Sequence, residues 1–416
     1  MTSICQDIFL EITKYLFQNK DILSFLSVNK TAHSSKKTCN FMEEVKYHYK
    51  LEKLSYYNQI KTTYLYDGGC GNKRVSIPPV YSVFLRVVSI DQMTLSSTIR
   101  EITFGDRFNQ SLVPGFFPCS LHEITFGDDF NHPLVPGVFP PSLEKITFGY
   151  YFNQPLLPGV FPSSLQEITF AEHFNQPLVP GLFPSSLRKI TFNNHFDQPL
   201  LPGVLPSSLQ EITFGDRFNQ SLVPGVFPSS LREITFGLLF DQPLVPGVFP
   251  SSLREITFDE HFNQPLVPGV FLSSLKKITF GWKFNQPLLP GVLPGSLQEI
   301  KFWGNFNQSL VPGIFPSSLQ KIKFGHYFNQ PLLPGILPSS LREIKVGYHF
   351  NQPLVSGVLP DCLRKIKFGW DFDQPLDPTM LPSSLEEIIL PNVNNPTCQR
   401  IFSFYKGSDV RIIFEY

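Results

Sequence analysis

A pattern of hydrophobic and polar positions repeats along most of the chain with a constant period of 22 residues. A representative unit reads S-L-R-E-I-T-F-G-D-R-F-N-Q-P-L-V-P-G-V-F-P-S, and its Asn or Asp recurs in 13 copies from Asn109 to Asp373 without an insertion. A short period of fixed length is typical of coils stacked on one another, because each copy must fill an equivalent place. The pattern therefore predicts a solenoid.

Each unit contains one segment with strand character and one that cannot be helical. In the copy around Ile234, the apolar Ile234 and Phe236 alternate with the polar Thr235, which is the period-two pattern of a half-buried strand. The segment P-L-V-P-G-V-F-P-S contains three prolines and a glycine in nine residues, and proline blocks a helix. We therefore predict a mainly β solenoid, similar to leucine-rich repeats, with one short parallel strand and an extended or polyproline-like return per coil.

Two phenylalanine columns and one asparagine column accompany the predicted strands. The columns that include Phe126 and Phe130 repeat in every copy or nearly so, and this predicts a stacked aromatic core. The asparagines from Asn109 to Asn351 are expected to join adjacent coils, because a side-chain amide can donate and accept hydrogen bonds. Aspartate replaces asparagine at three of these positions, where we expect weaker coils because a carboxylate cannot donate. These positions are Asp197, Asp241 and Asp373.

The amino-acid composition excludes several classes of protein. The chain has 416 residues, 34 basic and 34 acidic side chains and 42% hydrophobic residues, which indicates a large core and argues against a general nucleic-acid binder. No apolar stretch approaches the ~18–20 residues that a membrane span needs, and Asp7 and Glu11 stand where a signal peptide would be apolar. The six cysteines form no C-x-x-C pair. These features predict an intracellular, cytoplasmic protein.

Motifs of catalysis and metal binding are missing from the sequence. There is no P-loop, no G-x-S-x-G and no H-E-x-x-H. A repeated surface also disfavours catalysis, which needs different groups that converge on one point. His173 and His195 are expected on adjacent strands, but no third ligand recurs near them. We therefore predict a protein that is not an enzyme and holds no metal or cofactor.

The repeat itself resembles a known family. The pattern F-N-x-P-L...P-G-x-[FL]-P-x-S-L-x-x-I-x-F, which covers residues from about 100 to 390, looks like the FNIP repeat. That repeat is a relative of leucine-rich repeats, found in social amoebae and in large DNA viruses that infect amoebae. The P-S-S-L-x-x-I half also resembles the short leucine-rich repeats of bacterial effectors.

The N-terminal region differs in kind from the repeats. Apolar residues such as Ile8, Ile12 and Leu16 recur at helical spacing, and Asp21 is placed to cap a second helical segment. Residues 4–16 and 21–30 resemble an F-box, with departures from the F-box pattern at three positions. The departures are Cys5 in place of Pro, Thr13 in place of Leu and Asn29 in place of Cys.

The two resemblances together imply a substrate-recognition subunit of a Skp–cullin–F-box ubiquitin ligase. The F-box-like helices would bind the Skp-type linker protein, which joins the cullin, and the solenoid would bind a protein substrate. In a viral protein this would take place in the host cytoplasm. The linker-binding residues implied by the resemblance are Ile4, Ile8, Phe9, Ile12, Leu16, Ile22, Leu23 and Val28. An alternative is a scaffold unrelated to ubiquitin, in which the N-terminal helices only cap the solenoid.

Candidate substrate-binding residues lie in the C-terminal copies. The residue between Ile and Phe is Thr in nine consecutive copies from Thr103 to Thr279 and then becomes Lys. Four stacked lysines repel one another, so we expect either a basic stripe for an acidic partner or a solvated face left by duplication. Aromatic residues gather at nearby variable positions, where drift is the alternative. The candidate residues are Lys301, Lys323, Lys345, Lys367, Trp282, Tyr327, Tyr348 and Trp370. Stacked aromatics such as Trp282 and Trp370 also allow a carbohydrate-binding hypothesis.

These observations divide the chain into four segments. We predict an F-box-like helical domain over residues 1–51, a linker and N-terminal cap over 52–98, the array of 13 repeats over 99–390 and a C-terminal cap over 391–416. Within the caps, strands are expected over Val83 to Ile90 and over Val410 to Phe414.

Overall fold

A computed structural model describes residues 45–47, 62–66, 75–76, 82–86, 93–391 and 395–414. It contains two compact units, residues 1–152 and 153–416. The F-box-like helices and all eight predicted linker-binding residues lie outside the described residues, as do most of residues 1–98. The segment boundaries proposed from the sequence therefore remain predictions.

The first unit begins its series of parallel strands ahead of the repeats. Its strands pair in the order β1–β2, β2–β4, β4–β6, β6–β7 and β7–β8, and β3 pairs with β5 separately. The strand expected over Val83 to Ile90 is observed as β4 over Ser82–Arg86, and residues 87–90 lie outside the described residues. The strands are β1 (Val45–Tyr47), β2 (Thr62–Tyr66), β3 (Val75–Ser76), β4 (Ser82–Arg86), β5 (Met93–Thr94), β6 (Glu101–Phe104), β7 (Glu123–Thr125) and β8 (Lys145–Thr147).

The second unit repeats one short strand every 22 residues. The strands are β9 (Glu167–Phe170), β10 (Lys189–Phe192), β11 (Glu211–Thr213), β12 (Glu233–Thr235), β13 (Glu255–Thr257), β14 (Lys277–Phe280), β15 (Glu299–Phe302), β16 (Lys321–Lys323), β17 (Glu343–Lys345), β18 (Lys365–Lys367), β19 (Glu387–Leu390) and β20 (Arg411–Phe414). Each strand from β9 to β19 pairs in parallel with the next, so that equivalent residues such as Ile234 and Ile256 lie opposite each other. The predicted parallel β solenoid is confirmed.

The C-terminal end of the second unit contains a helix that the sequence interpretation missed. Helix α1 (Pro396–Tyr405) begins after Asn395, whose side chain accepts hydrogen bonds from the backbone N–H groups of Thr397 and Cys398. Asparagine followed by proline is a standard helix start, so the signal was present in the sequence. The chain then forms β20, which pairs in parallel with β19 as the expected terminal strand.

The return path of each coil is built on a turn at the Pro-Gly pair. In one coil the backbone N–H of Val248 donates to the carbonyl oxygen of Val245 at 3.3 Å, and Gly247 has φ +86°. This is a type II turn, in which proline suits the first central position and glycine the second. The predicted non-helical return is thereby explained.

The core of each coil is formed by the same few apolar side chains. Leu231, Ile234, Phe236 and Phe240 are each at most 1% exposed. The rings of Phe236 and Phe240 stack at 4.0 Å between centroids, and Phe236 stacks on Phe258 of the next coil at 5.4 Å. The aromatic columns are therefore core, as predicted, and are not available for a ligand.

Polar side chains join consecutive coils in ladders. Asn219 Oδ1 accepts a hydrogen bond from the backbone N–H of Asp241 at 2.9 Å and another from Gln242 Nε2 at 3.1 Å. Asp197 Oδ1 makes the same two bonds to the next coil, both at 2.9 Å. Because the ladder uses an acceptor that aspartate also has, the reason for expecting weaker coils at the aspartates was wrong.

We expect replacement of Asn219 by alanine to be costly and replacement by aspartate to be nearly neutral. Alanine removes the acceptor of the Asp241 N–H, and because this hydrogen bond is exposed and water can replace it in part, we expect a cost of about 0.5–1.5 kcal/mol. Urea denaturation of the full chain measures both changes. Equal losses in free energy of unfolding for the two variants would contradict this account of the ladder.

Candidate functional site: a basic and aromatic face

The first position of each strand in the second unit carries alternating charges that largely neutralise one another. Lys189 Nζ lies 2.8 Å from Glu211 Oε2, and Lys277 Nζ lies 2.9 Å from Glu255 Oε2. Lys365 forms an ion pair with Glu387 further along. In-register stacking places each charge beside its equivalent in the next coil, so opposite signs at neighbouring copies become cross-strand pairs.

Glu233 is the exception in this row of charges. It lies between Glu211 and Glu255. Burial raises the pKa of the Glu233 carboxyl above its ordinary value of 4.5, and repulsion from these two carboxylates raises it further. An acid with a raised pKa in the folded state destabilises the fold at higher pH. This loss of stability is absent below pH 4.5 and complete once the pH exceeds the raised pKa of Glu233.

Replacement of Glu233 by glutamine should therefore stabilise the chain at pH 7 by a small amount. The gain should shrink as the pH falls through the window above 4.5 and vanish below it. Urea denaturation of both proteins at several pH values measures this difference. A gain in free energy of unfolding that persisted unchanged at pH 4 would show that ionisation of the Glu233 carboxyl does not destabilise the fold.

A column of four lysines projects from the third position of each strand from β15 to β18, and we call it the lysine column. Its members lie opposite one another in register and comprise Lys301, Lys323, Lys345 and Lys367. Adjacent parallel strands are about 4.8 Å apart. Lys301 Nζ lies 2.8 Å from Glu299 Oε1, whereas Lys345 Nζ lies 3.7 Å from Glu343 Oε1. The two lysines are therefore balanced by carboxylates to different extents.

Lys323 stands apart within the lysine column. Among the residues that the structure describes, no carboxylate forms an ion pair with it, and its Nζ lies over the ring of Trp303, 3.8 Å from the centroid. Burial lowers the pKa of Lys323, and repulsion from Lys345, Lys301 and Lys367 lowers it further. A cation over an indole face is stabilised only modestly. The site therefore has a positive charge that still lacks an anion.

Trp303 occupies a position that is glycine in most copies. At Gly281 an added Cβ would overlap the backbone carbonyl of Asp259 in the preceding coil, so glycine allows close approach there. The backbone at Trp303 remains hydrogen-bonded to the preceding coil. Phe302 pairs with Phe280, and the backbone N–H of Trp303 donates to the oxygen of Phe280 at 3.1 Å. The indole is consequently held half-exposed beside the lysine column.

A second set of side chains, which we call the aromatic ladder, stacks along the variable positions after the strands. It comprises Trp282, His326, Tyr327, Tyr348, His349 and Trp370. His326 stacks on Tyr348 at 4.7 Å, and Tyr348 stacks on Trp370 at 6.2 Å. The ladder thus joins four predicted candidates, Trp282, Tyr327, Tyr348 and Trp370, to two histidines that were not predicted.

Trp282 reaches the ladder by crossing an entire coil. Its ring lies 5.9 Å from that of His326, which is two coils further along the chain. The intervening coil has Gly304 at the equivalent position, and a Cβ there would lie 2.6 Å from Trp282 Cδ2. Gly304 therefore leaves the space that the indole fills. Gly304 directly follows Trp303, whose ring lies under Lys323 Nζ, so the glycine that admits Trp282 is next in sequence to the indole beside the lysine column.

Stacking determines which parts of these rings a partner can reach. Tyr348 has His326 on one side and Trp370 on the other, so its faces are covered and its edge is exposed. Sugars bind to open aromatic faces, so Tyr348 is not suited to a carbohydrate ligand, and the carbohydrate hypothesis for Trp282 and Trp370 stays a prediction. At the end of the ladder, His349 Nδ1 lies 2.6 Å from Asp371 Oδ2.

The histidine pair His173 and His195 is also brought together, as expected. The two Nδ1 atoms are 2.7 Å apart and the rings are parallel, which fits one N–H group that donates to the other ring. Burial lowers the pKa of His195, and nearby Arg217 and His173 lower it further. No group of three or more potential metal ligands occurs in the described part of the chain. Over the same residues, no helix has the length and apolar character needed to cross a membrane.

Comparison with known proteins identifies the family to which the repeat belongs. The FNIP repeat model matches residues 89–129, 130–173, 174–217, 218–261, 262–304, 306–349 and 350–392. The crystal structure of CroV588, described as a novel circular LRR protein, is 32% identical to the chain and superposes with a TM-score of 0.69. That match covers 80% of this chain and 52% of the other, so the chain spans about half the length of CroV588.

Other comparisons add little to this assignment. A Drosophila Toll–Spatzle complex is 15% identical over 88% of this chain and 59% of its own, with a TM-score of 0.49. No curated protein matches the chain in sequence. Solenoids similar to leucine-rich repeats are typical of proteins that bind other proteins on an extended surface. The seven matches to the family model cover most of the sequence, and the chain belongs to the FNIP repeat family.

Proposed function

We propose that the chain is a protein-interaction scaffold that acts as the substrate-recognition subunit of a Skp–cullin–F-box ubiquitin ligase in the cytoplasm. Its substrate is an acidic protein that binds to the lysine column. The observation that carries the proposal is the charge of Lys323, which is partly buried against Trp303 and has no described carboxylate partner. A partner that supplies the missing anion is attracted to this face and bound in a defined position.

The surroundings of Lys323 support recognition of a protein. Trp303 and the aromatic ladder present large, semi-rigid side chains, of which Trp303 is 50% exposed. Tryptophan and tyrosine at the centre of a surface patch are usual anchors of protein interfaces, and a lysine beside them adds electrostatic complementarity to an acidic partner. The array repeats similar groups and does not bring different reactive groups together. The proposal therefore includes no catalytic activity.

The link to ubiquitin transfer rests on the N-terminal resemblance alone. Residues 4–16 and 21–30 are similar to an F-box, and they lie outside the described residues. By that resemblance Ile8, Leu16 and their apolar neighbours contact the Skp-type linker protein. The solenoid would then hold the substrate while the linker protein and cullin bring the ubiquitin-transfer machinery.

Co-purification of the full chain with an amoebal Skp-type linker protein and cullin tests this part. We expect the wild-type chain to bring both proteins down, and we expect Ile8→Glu and Leu16→Glu to release them because a charge replaces an apolar contact. Circular dichroism of each variant checks that the solenoid is still folded. A Lys323→Thr variant is the matched control and should retain the linker protein.

The alternative is a scaffold unrelated to ubiquitin, whose N-terminal helices only cap the solenoid. In that case neither linker protein nor cullin co-purifies with the wild-type chain, and Ile8→Glu lowers the thermal stability of the solenoid. Binding of an acidic partner to the lysine column would remain in this alternative. The two outcomes therefore test the role in ubiquitin transfer separately from the binding of an acidic partner to the lysine column.

A further inference from the structure

We propose that the acidic partner presents an α-helix with one stripe of carboxylates, which lies along the lysine column. This inference rests on the proposed function, because it specifies the partner of the same face. It follows from the spacing of the lysines, from the unequal balance of their charges and from the aromatic side chains beside them.

The spacing of the lysine column selects among the regular backbone structures of a partner. The four lysines are paired in register, and strands about 4.8 Å apart place them over about 14 Å. Carboxylates at helix positions i, i+4, i+7 and i+11 span about 16 Å, because each residue rises 1.5 Å. Alternate residues of an extended strand span about 20 Å over four carboxylates. Four carboxylates on a helix therefore span nearly the same length as the four lysines, whereas four carboxylates on a strand exceed that length by more than one lysine spacing.

The charges around the column locate the centre of this contact. Glu343 Oε2 lies 2.9 Å from Lys321 Nζ, and its other oxygen lies 3.7 Å from Lys345. Glu343 is thus held mainly by Lys321 and balances Lys345 only in part. Lys323 has no described carboxylate partner. We therefore expect a carboxylate of the partner to bind most strongly between Lys323 and Lys345.

The aromatic side chains specify the residues next to the acidic stripe. Trp303 borders Lys323 directly, and the backbone N–H of His326 donates to the Trp303 carbonyl oxygen at 2.8 Å. The aromatic ladder therefore runs beside the column. Stacked rings expose their edges, which carry partial positive charge and also make apolar contact. A helix with leucine or other apolar side chains beside its carboxylates fits both features.

Three synthetic peptides of identical composition and net charge test this inference. Each contains four glutamates and several leucines in an alanine-rich sequence of 18 residues, which is on the order of the length that a stable helix needs. The first peptide has its glutamates at i, i+4, i+7 and i+11, the second has them dispersed around the helix, and the third has them at alternate positions. Binding to the full chain is measured by fluorescence anisotropy at low ionic strength.

The stripe peptide should bind about tenfold more tightly than either of the other two, since only it meets several lysines at once. Lys323→Thr, which introduces the residue found at this position in nine other copies, should remove most of that advantage. Lys276→Gln alters an exposed lysine outside the column and should leave binding unchanged. Circular dichroism of each variant confirms that it is folded.

Other outcomes would overturn the inference in distinguishable ways. Tighter binding of the alternating peptide, or equal binding of all three with loss in Lys323→Thr, would exclude a helical partner and leave the acidic recognition face intact. Binding of all three that is unaffected by Lys323→Thr, or no binding by any peptide, would contradict both the inference and the proposed recognition face.

Discussion

Replacement of Phe240 by alanine is expected to lower the free energy of unfolding by about 3–5 kcal/mol. The side chain is 1% exposed, and its ring stacks on Phe236 at 4.0 Å and on Phe218 and Phe262 at 6.1 Å each. Alanine leaves a cavity between three coils. The neighbouring coils cannot close it, because their separation is fixed by backbone hydrogen bonds and by their own stacked rings.

The chain itself provides the matched control for this prediction. Phe249 belongs to a column in which leucine already occurs, at Leu205 and Leu293. Phe249→Leu should therefore cost less than about 1.5 kcal/mol. Urea denaturation followed by tryptophan fluorescence reports on both variants, because all three tryptophans lie in the second unit. A loss for Phe240→Ala no larger than that for Phe249→Leu would contradict the stacked aromatic core.

Simultaneous replacement of the four column lysines by threonine should weaken binding of an acidic probe on the order of 100-fold. Each lysine that meets a carboxylate contributes up to about 1 kcal/mol at an exposed or half-exposed site, and four such contributions combine. Poly-L-glutamate serves as the probe, and binding is measured at low and at physiological salt. The affinity of the wild-type chain should fall steeply with salt, because screening weakens exposed ion pairs.

The same variant should be at least as stable as the wild-type chain. Threonine occupies this position in nine copies from Thr103 to Thr279. Its introduction removes the repulsion between stacked like charges, which we expect to outweigh the loss of the half-exposed ion pairs of Lys301 with Glu299 and Lys345 with Glu343. Thermal melting separates a loss of binding from a loss of folding. A folded variant that bound poly-L-glutamate as tightly as the wild type would exclude the lysine column as the recognition face.

The sequence allowed the repetitive part of the fold to be predicted closely. A constant period places equivalent residues of successive coils opposite each other, so the alternation of Ile234, Thr235 and Phe236 was sufficient to locate the strand and its buried face. The Pro-Gly pair was equally informative, because few other sequences form a type II turn. These predictions depend only on neighbours along the chain and on the repeat.

The recognition face depended on contacts that one repeat does not reveal. Trp303 was missed because it stands in a column of glycines, and its contact with Lys323 joins two successive coils. The contact of Trp282 with His326 crosses the coil of Gly304. From the sequence these positions looked like independent variation. The break in the glycine column was the available signal.

The departures from the repeat coincide with the proposed recognition face. The coils with threonine at the third strand position have a neighbouring row of charges that is mostly paired within the protein. The change to lysine at Lys301 coincides with Trp303, Gly304 and the beginning of the aromatic ladder. Within the second unit, the C-terminal coils therefore combine unbalanced charge with exposed aromatic surface.

Carbodiimide cross-linking of poly-L-glutamate to the full chain, mapped by mass spectrometry, tests the central claim most directly. The reagent joins a carboxylate to a lysine in contact with it, so the modified lysines identify the binding face. We predict that Lys323 and Lys345 carry most of the cross-links, although Lys276 and Lys283 are more exposed. Cross-links distributed over the surface according to exposure alone would contradict an acidic recognition site at the lysine column.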